Sequence, residues 1–504
     1  MLTLLWSCGK QASEDAVLLK GDQFDRVRTL IHDTMKRRSI ASMTVAVSKD
    51  GKIIWEESFG WADREKKIKA TPDTIYPIAS ISKAMTATGL MVLSDHGRVD
   101  IDKPANDYLG EAKLVAYLGK DSDATVRRVM QHTAGLPMYW NLYFEKEKSR
   151  PPDIDESIKR YGILVTEPGE VYEYSNLGYG IIDHLISRLS QKSYEEFMRT
   201  EVFEPLGMVQ TSVLIDPSQK ENVAQLYDEL QSPFPFWDCD HRGASSIFSS
   251  ARDLIRFGMF HLKHLSSDQS QILSDATIDA MHKPTGISMP DVNIGAVEIG
   301  LGWAIVDLYG HRFLSATGGA PGVSCRLGLA PSENIAVAIL CNSGISDSAE
   351  IWNLWYIEWS IYAALIPKLP KGIDIPLKKE AYAPPDALEG EWKGMIKTHI
   401  GDLPVRMHFE KKEGVSLSVN GKSVHPIDVE NPLGIISFKN GIFQGPFFGG
   451  VGTEDTKRAP NVLFLHMRLR GNKLNGYAAA IAMNQKFCLP YWIELTKEES
   501  GMDK

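Results

Sequence analysis

The sequence predicts an α/β (α+β) sandwich: an antiparallel sheet flanked by helices and interrupted by an all-helical insert, followed by a small antiparallel β-barrel. Three observations predict it. Strand patterns lie near residues 43–59 and again near 301–342, with a long stretch of helix and loop signals between them. Strands, helical insert and strands again imply one sheet completed by both ends of a domain. Beyond the Pro-rich stretch that ends at Pro385, short period-2 segments separated by tight turns dominate, the pattern of a small closed sheet.

Taken in order, residues 1–21 read as a tail or a signal remnant. Met1 to Cys8 is similar to the end of a bacterial lipoprotein signal, but no basic segment precedes it and its apolar run is short. The expectation is a periplasmic or extracellular protein, lipid-anchored through Cys8, with a cytoplasmic location as the alternative. Residues 22–365 form the first domain. Asp22 to Arg38 places Phe24, Val27, Leu30, Ile31 and Met35 on one helical stripe. Met43–Val47 and Ile53–Phe59 are strands around a hairpin turn at Lys49-Asp-Gly-Lys52. Later come a helix over Ala251–His261 and strands near 301–308, 311–317 and 323–342. Residues 366–385 read as a Pro-rich linker and 386–504 as the barrel, with strands over Val405–Phe409, Val415–Val419 and Val462–Leu469.

Bulk properties narrow the function classes. A net charge of −9 argues against a nucleic-acid role, and no apolar run reaches the roughly 18 residues that a membrane span needs. The five cysteines contain no C-x-x-C pair, which argues against a zinc site or a disulfide scaffold, so neither metal nor cofactor is expected. Cys325 and Cys341 flank Pro331-Ser-Glu-Asn334 almost symmetrically, which would set them facing across a hairpin as two buried free thiols.

The chemistry resides in three short motifs. Ser80-Ile-Ser-Lys83 opens an apolar helix, which sets a hydroxyl and an amine one turn apart on one face. A second S-x-x-K, Ser7-Cys-Gly-Lys10, has no such helix after it. Tyr174-Ser-Asn176 follows a Pro-Gly turn and opens another helix, where it can hold a phenol and an amide rigidly; Tyr139-Trp-Asn141 is its decoy. Thr317-Gly-Gly-Ala-Pro-Gly322 ends a strand with glycines that let backbone approach a ligand and offer an N–H donor. Each has a plainer reading: a surface serine with a solvated lysine, a buried aromatic, a tight turn.

Together and in this order the motifs resemble the serine β-lactamase-like hydrolases: class C β-lactamases, D-alanyl-D-alanine carboxypeptidases, D-aminopeptidases and family VIII esterases. Thr125–Pro137, Ser250–Asp253, Gly300–Trp303 and Ala330–Asn334 also look like family segments, and the stretch opening at Leu388 resembles a lipocalin-like barrel appended to some members. The resemblance implies that Ser80 is acylated and that Lys83 and Tyr174 share the general-base and proton-shuttle work. It implies that Asn176 orients Lys83 and a substrate amide, and that the N–H groups of Ser80 and Gly319 form the oxyanion hole beside Thr317 and Gly318. His132 matches a family position and is read as structural, holding a loop and isolated from the three motifs.

Two points stay open at this stage. An ordinary lysine, with a pKa of ~10.4, is neutral in only about one molecule in 2,500 at pH 7, so either burial lowers Lys83 or Tyr174 ionises and acts as the base. Second, where the family carries Lys or His, this chain has Ala316. A unit charge ~5 Å from the phenol is worth roughly 3 kcal/mol at an effective dielectric of 20. Three consequences compete: a substrate without the usual carboxylate, which favours an ester or blocked amide; a substitute cation, for which Arg326 on the next strand is the candidate; or lost catalysis with retained binding. The favoured expectation is a serine hydrolase acting through an acyl-enzyme, an esterase, amidase or peptidase-like enzyme with weak β-lactamase activity at most and an alkaline rate optimum. Its alternatives are a penicillin-binding-like binding or sensor protein and a true class C-type β-lactamase. The expected partner is a small-molecule ester, amide or peptide, with homodimerisation an open option.

Overall fold

The computed structural model describes residues 22–290, 296–344, 348–373, 386–410, 414–427 and 436–498. The expectations for Met1–Cys8 and Ser7–Lys10 lie outside these residues, as does most of the Pro-rich stretch. Helix α1 (Asp25–Arg38) leads into β1 (Ser42–Lys49) and β2 (Lys52–Asp63). Lys49 pairs with Lys52, with Asp50 (φ 49°) and Gly51 (φ 72°) left-handed between them, the geometry that suits a two-residue hairpin to the sheet twist.

After β3 (Ile68–Lys69) come α2 (Ser82–Asp95), α3 (Asn176–Ser190) and α4 (Ala251–His261). The chain then returns to the sheet through β4 (Val297–Ile299), β5 (Ala304–Leu308), β6 (His311–Ala320), β7 (Val323–Ala330) and β8 (Ile335–Cys341). The antiparallel order is β4-β5-β6-β7-β8-β1-β2-β3, with Met43 opposite Cys341, so both ends of the domain meet in mid-sheet. The 323–342 segment is a hairpin of two strands. Ser324, not Cys325, lies opposite Cys341, so the two thiols project to opposite faces rather than towards each other; both are free and buried. One face packs on α2 and α4, with α3 packed against α2. The other packs on α1 and on α5 (Ser348–Leu365), through Phe24, Ile31, Ile339, Trp355 and Trp359.

The C-terminal sheet comprises β9 (Gly390–Thr398), β10 (Gly401–Glu410), β11 (Gly414–Val419), β12 (Lys422–Val424), β13 (Ser437–Lys439), β14 (Ile442–Phe447), β15 (Asn461–Arg470), β16 (Lys473–Ala482) and β17 (Phe487–Lys497). Its order is β12-β11-β10-β9-β17-β16-β15-β14-β13. Just past β12 the chain meets β14: the Ile427 N–H donates to Pro446 O and the Phe448 N–H to His425 O, curling the sheet round on itself. Trp392, Met407, Phe409, Leu465 and Met467 fill the interior. The curled sheet continues into the first domain, since Phe487 and Cys488 on β17 pair with Asn141 and Trp140. Arg160 and Tyr161 both bond Asp455 across the same junction.

Candidate active site

Ser80 lies on a 3-10 turn (Ala79–Ile81) that runs directly into α2. The preceding strand, Ile75–Pro77, is pinned by Ile247–Ser250, and the Ile78 N–H donates to Ile247 O. Ala79, immediately before the serine, has φ 43° and is buried. A non-glycine residue in that region is strained and is held there by its surroundings. Nothing in the residue type signals this strain; only the packing of the turn imposes it.

Helix α2 is buried almost all round, so Lys83 is only 4% exposed. Its Nζ lies 2.9 Å from Ser80 Oγ and donates to Ala244 O at 3.0 Å. No carboxylate among the described residues bonds it. The remaining surroundings include the ring faces of Tyr174 and Tyr179, with centroids 4.8 and 5.8 Å away. Burial therefore holds the amine well below its ordinary pKa of 10.5. Tyr174 Oη lies 2.8 Å from Ser80 Oγ on another side, and burial pushes the phenol up to about 12 despite that hydrogen bond. The three predicted reactive atoms thus meet, 94 residues of chain notwithstanding.

Tyr174 is held by its backbone. The Glu173 N–H donates to His132 O and the Ser175 N–H to His132 Nδ1, while the His132 ring lies 4.6 Å from that of Tyr174. His132 has φ 57° and is held well below its ordinary pKa by burial and by the nearby Lys83, a neutral imidazole accepting at Nδ1. The isolation expected of His132 is therefore corrected: distant in sequence, it brackets the second motif. Asn176 does not bond Lys83. Its Nδ2 donates to Tyr139 O at 2.7 Å and its Oδ1 has no partner, so the lysine is oriented instead by Ala244 O. The decoy Tyr139-Trp-Asn141 is structural, with Tyr139 bonded to the buried Asp240 and Trp140 to the C-terminal sheet.

The third motif closes the site from β6. Strand β5 pairs with β6 only as far as Ala304 opposite Ser315, which leaves the 316–320 edge open beside the serine turn. A Cβ at Gly318 would stand 2.2 Å from Ile78 O, so only glycine admits the turn this close. Cys325 completes the contact from β7, its thiol donating to Ile78 O. Ala316 shares the Gly318 face and is buried in the same apolar cluster as Ile78 and Ala79. Thr317 and Gly319 alternate to the α5 side.

Arg326 does not replace the missing cation. It stands opposite Thr317 on the α5 face of the sheet, buried, ion-paired with the buried Glu358 and donating to Ser315 Oγ. Its surface ion pair is likewise corrected to a buried one, because α5 covers it.

A cavity of about 530 Å³ opens beside Tyr174, and its far wall is the outer surface of the C-terminal sheet, including Ile442, Phe464 and His466. Sequence reading missed these residues: alternation along β15 marks which side chains face outward, but nothing in it shows what they face. Among the described residues no helix is long and apolar enough to cross a membrane.

The family described as Beta-lactamase matches residues 27–356. Protein flp of Staphylococcus aureus (strain MRSA252) is 24% identical over 336 residues, 64% of this chain and 64% of that protein, so the match spans just under two thirds of that relative's length. Penicillin-binding protein 4 of Amycolatopsis lactamdurans is 26% identical over 342 residues, 65% of this chain and 85% of the relative. Among solved structures, an octameric penicillin-binding protein homologue from Pyrococcus abyssi has a TM-score of 0.59 at 20% identity and covers 94% of this chain and 99% of its own. A class C β-lactamase has a TM-score of 0.56 at 19% identity, covering 67% of this chain and 96% of its own, so its fold is shared without the C-terminal sheet. The family match takes in more than half of the sequence and the stretches that hold all three motifs, and the chain belongs to the Beta-lactamase family.

Proposed function

We propose that the protein is a serine hydrolase that cleaves ester or amide bonds through an acyl-enzyme on Ser80. The observation that carries this reading is the placement of Lys83, an amine buried without a counter-charge within 2.9 Å of the nucleophile. Burial favours its neutral form, which can take the serine proton; the same burial disfavours the Tyr174 phenolate, which argues against tyrosine as the base. The Ser80 proton passes to Lys83 Nζ as Oγ attacks the carbonyl carbon. The tetrahedral oxyanion is held by the N–H groups of Ser80 and Gly319. Tyr174, on the other side of Oγ, gives its proton to the departing alkoxide or amine as it takes up the proton held by Lys83, so that both groups end neutral. Water then releases the acyl group by the same path in reverse. Asn176, with its free Oδ1, serves to accept a hydrogen bond from a substrate amide.

The apolar setting of Ala316 favours substrates with no carboxylate next to the scissile bond, hence an esterase, amidase or peptidase-like enzyme with weak β-lactamase activity. The same alanine favours one second reading, a binding protein that acylates without turnover. Intact-mass measurement after a fluorophosphonate, together with rates on p-nitrophenyl acyl esters and nitrocefin, tests both. The expected result is a Ser80 adduct, ester turnover that Ser80→Ala abolishes, and slow nitrocefin hydrolysis. A stable acyl adduct without turnover would select the binding protein, and ester turnover that survives S80A would remove both.

A further inference from the structure

Three consecutive outward-facing residues of β15 point at the segment that carries Tyr174: His466, Arg468 and Arg470, spaced by the two-residue repeat of a strand. The outer two are engaged. His466 Nε2 lies 3.3 Å from Glu173 Oε1, and Arg470 grips Glu170 with two bonds of 2.8 and 2.7 Å. These contacts fasten the β15 face to residues 170–173, immediately before Tyr174. Arg468, between them, lines the cavity that holds Tyr174; its charge acts on Glu170 from a distance, but its guanidinium makes no hydrogen bond or ion pair with any described residue. Both carboxylates in that wall are already taken, Glu170 being held below its ordinary pKa by Arg470 first.

Register adds a second cation. Arg468 is opposite Ile442 on β14, and Ile442 is opposite Lys439 on β13, so all three project to the same outer face and all line the cavity. A half-buried guanidinium with five donors and no acceptor is a ready partner for a planar anion, which it binds with two parallel hydrogen bonds. In the third motif, position 316 offers only a methyl group, buried in the apolar core.

We propose that Arg468 binds a carboxylate of the substrate, so that the C-terminal sheet supplies the cation that the third motif lacks. This rests on Ser80 being the nucleophile of the reading above. The favoured substrates are then esters or amides that carry a carboxylate some distance from the scissile carbonyl, on the side facing β15. Lys439 adds to the local field, whereas Arg468 supplies the directed contact.

Paired p-nitrophenyl esters of equal length, one ending in a methyl group and one in a carboxylate, test this by the ratio of their kcat/KM values. Wild type should prefer the carboxylate ester, R468Q should lower that ratio by about tenfold or more, mainly through KM, and R468K should recover part of it. Binding is read separately by calorimetry of the monomethyl ester of a linear dicarboxylic acid, and of the matching neutral diester, on S80A and S80A/R468Q. A preference for the anion that disappears with R468Q supports the proposal. Equal binding of both esters, or a preference that survives R468Q, overturns it. Failure of the wild type to turn over any ester would count against Ser80 chemistry, while the calorimetry would still decide whether Arg468 binds the anion.

Discussion

Lys83 and His241 are both basic, both buried and close in the fold: the carbonyl that accepts from Lys83 belongs to Ala244, three residues beyond His241. Their surroundings differ in one respect. His241 Nδ1 lies 2.7 Å from the buried carboxylate of Asp240, which is itself bonded by Tyr139 and Ser157. Lys83 has a hydroxyl, a carbonyl and two ring faces, and no acid. Burial alone would lower both. For His241 the neighbouring Cys239 and Asp240 outweigh burial and raise its pKa above the ordinary 6.5, so it stays charged and structural. For Lys83 burial outweighs the opposing influence of Cys239, and the amine is free to accept a proton. In this fold the buried base with a counter-charge in bonding distance is held as a structural ion, and the one without is left able to take up a proton.

The largest test of this contrast is Lys83→Met. It should lower kcat by about 10³–10⁴-fold, while thermal unfolding shows Tm unchanged or raised, since a buried amine without a counter-charge adds no stability. A large fall in Tm would show that Lys83 is paired after all. Asp240→Asn is the converse. Stranding the His241 charge should cost about 3–5 kcal/mol in urea unfolding, with the folded fraction still reacting with a fluorophosphonate at Ser80. Next in size, Tyr174→Phe should slow ester turnover by about 10²-fold, because the phenol works as a neutral relay rather than as the base. A loss equal to that of the lysine variant would favour a phenolate base.

Two pH dependences are smaller. The neutral amine is the active form, so kcat/KM should rise with pH through the Lys83 titration, and that limb should lie below the ordinary 10.5. A limb centred at the ordinary value would break the comparison. His241 has the opposite sign. Its pKa is raised in the folded state, so its contribution to stability is full below the unfolded value of 6.5 and declines as pH climbs towards the raised one. Denaturant midpoints measured across that window in wild type and in D240N should show the decline only in the former.

Much of this was legible in the sequence for physical reasons. The stripe of α1, the Asp-Gly turn between β1 and β2, the span of α4 and the strands near 43–59 and 301–342 follow from side-chain period and turn chemistry, which act over a few residues. Ser80, Lys83 and Tyr174 were legible as types at suggestive spacings. The hairpin partners of Cys325 and Cys341 were not, because a register shift of one residue moves a side chain to the other face. Arg326 looked like a surface cation for want of any sign that α5 covers it with Glu358. The engagement of Asn176 by Tyr139 O, and of Lys83 by Ala244 O, likewise depends on backbone atoms, which every residue carries alike.

The sequence by itself determined the inventory: a hydroxyl and an amine one helical turn apart, a phenol opening a second helix, glycines ending a strand and an alanine in place of a cation. Only the tertiary structure decided what state those groups are in. It buried Lys83 away from every acid, bent Ala79 into a left-handed turn beneath Ser80, brought His132 against Tyr174 and set Arg468 of the C-terminal sheet across the cleft. The reason is that residue type fixes which protons and charges a chain can offer. Their energies depend on the solvent and counter-charges around them, and those are supplied by segments tens to hundreds of residues away.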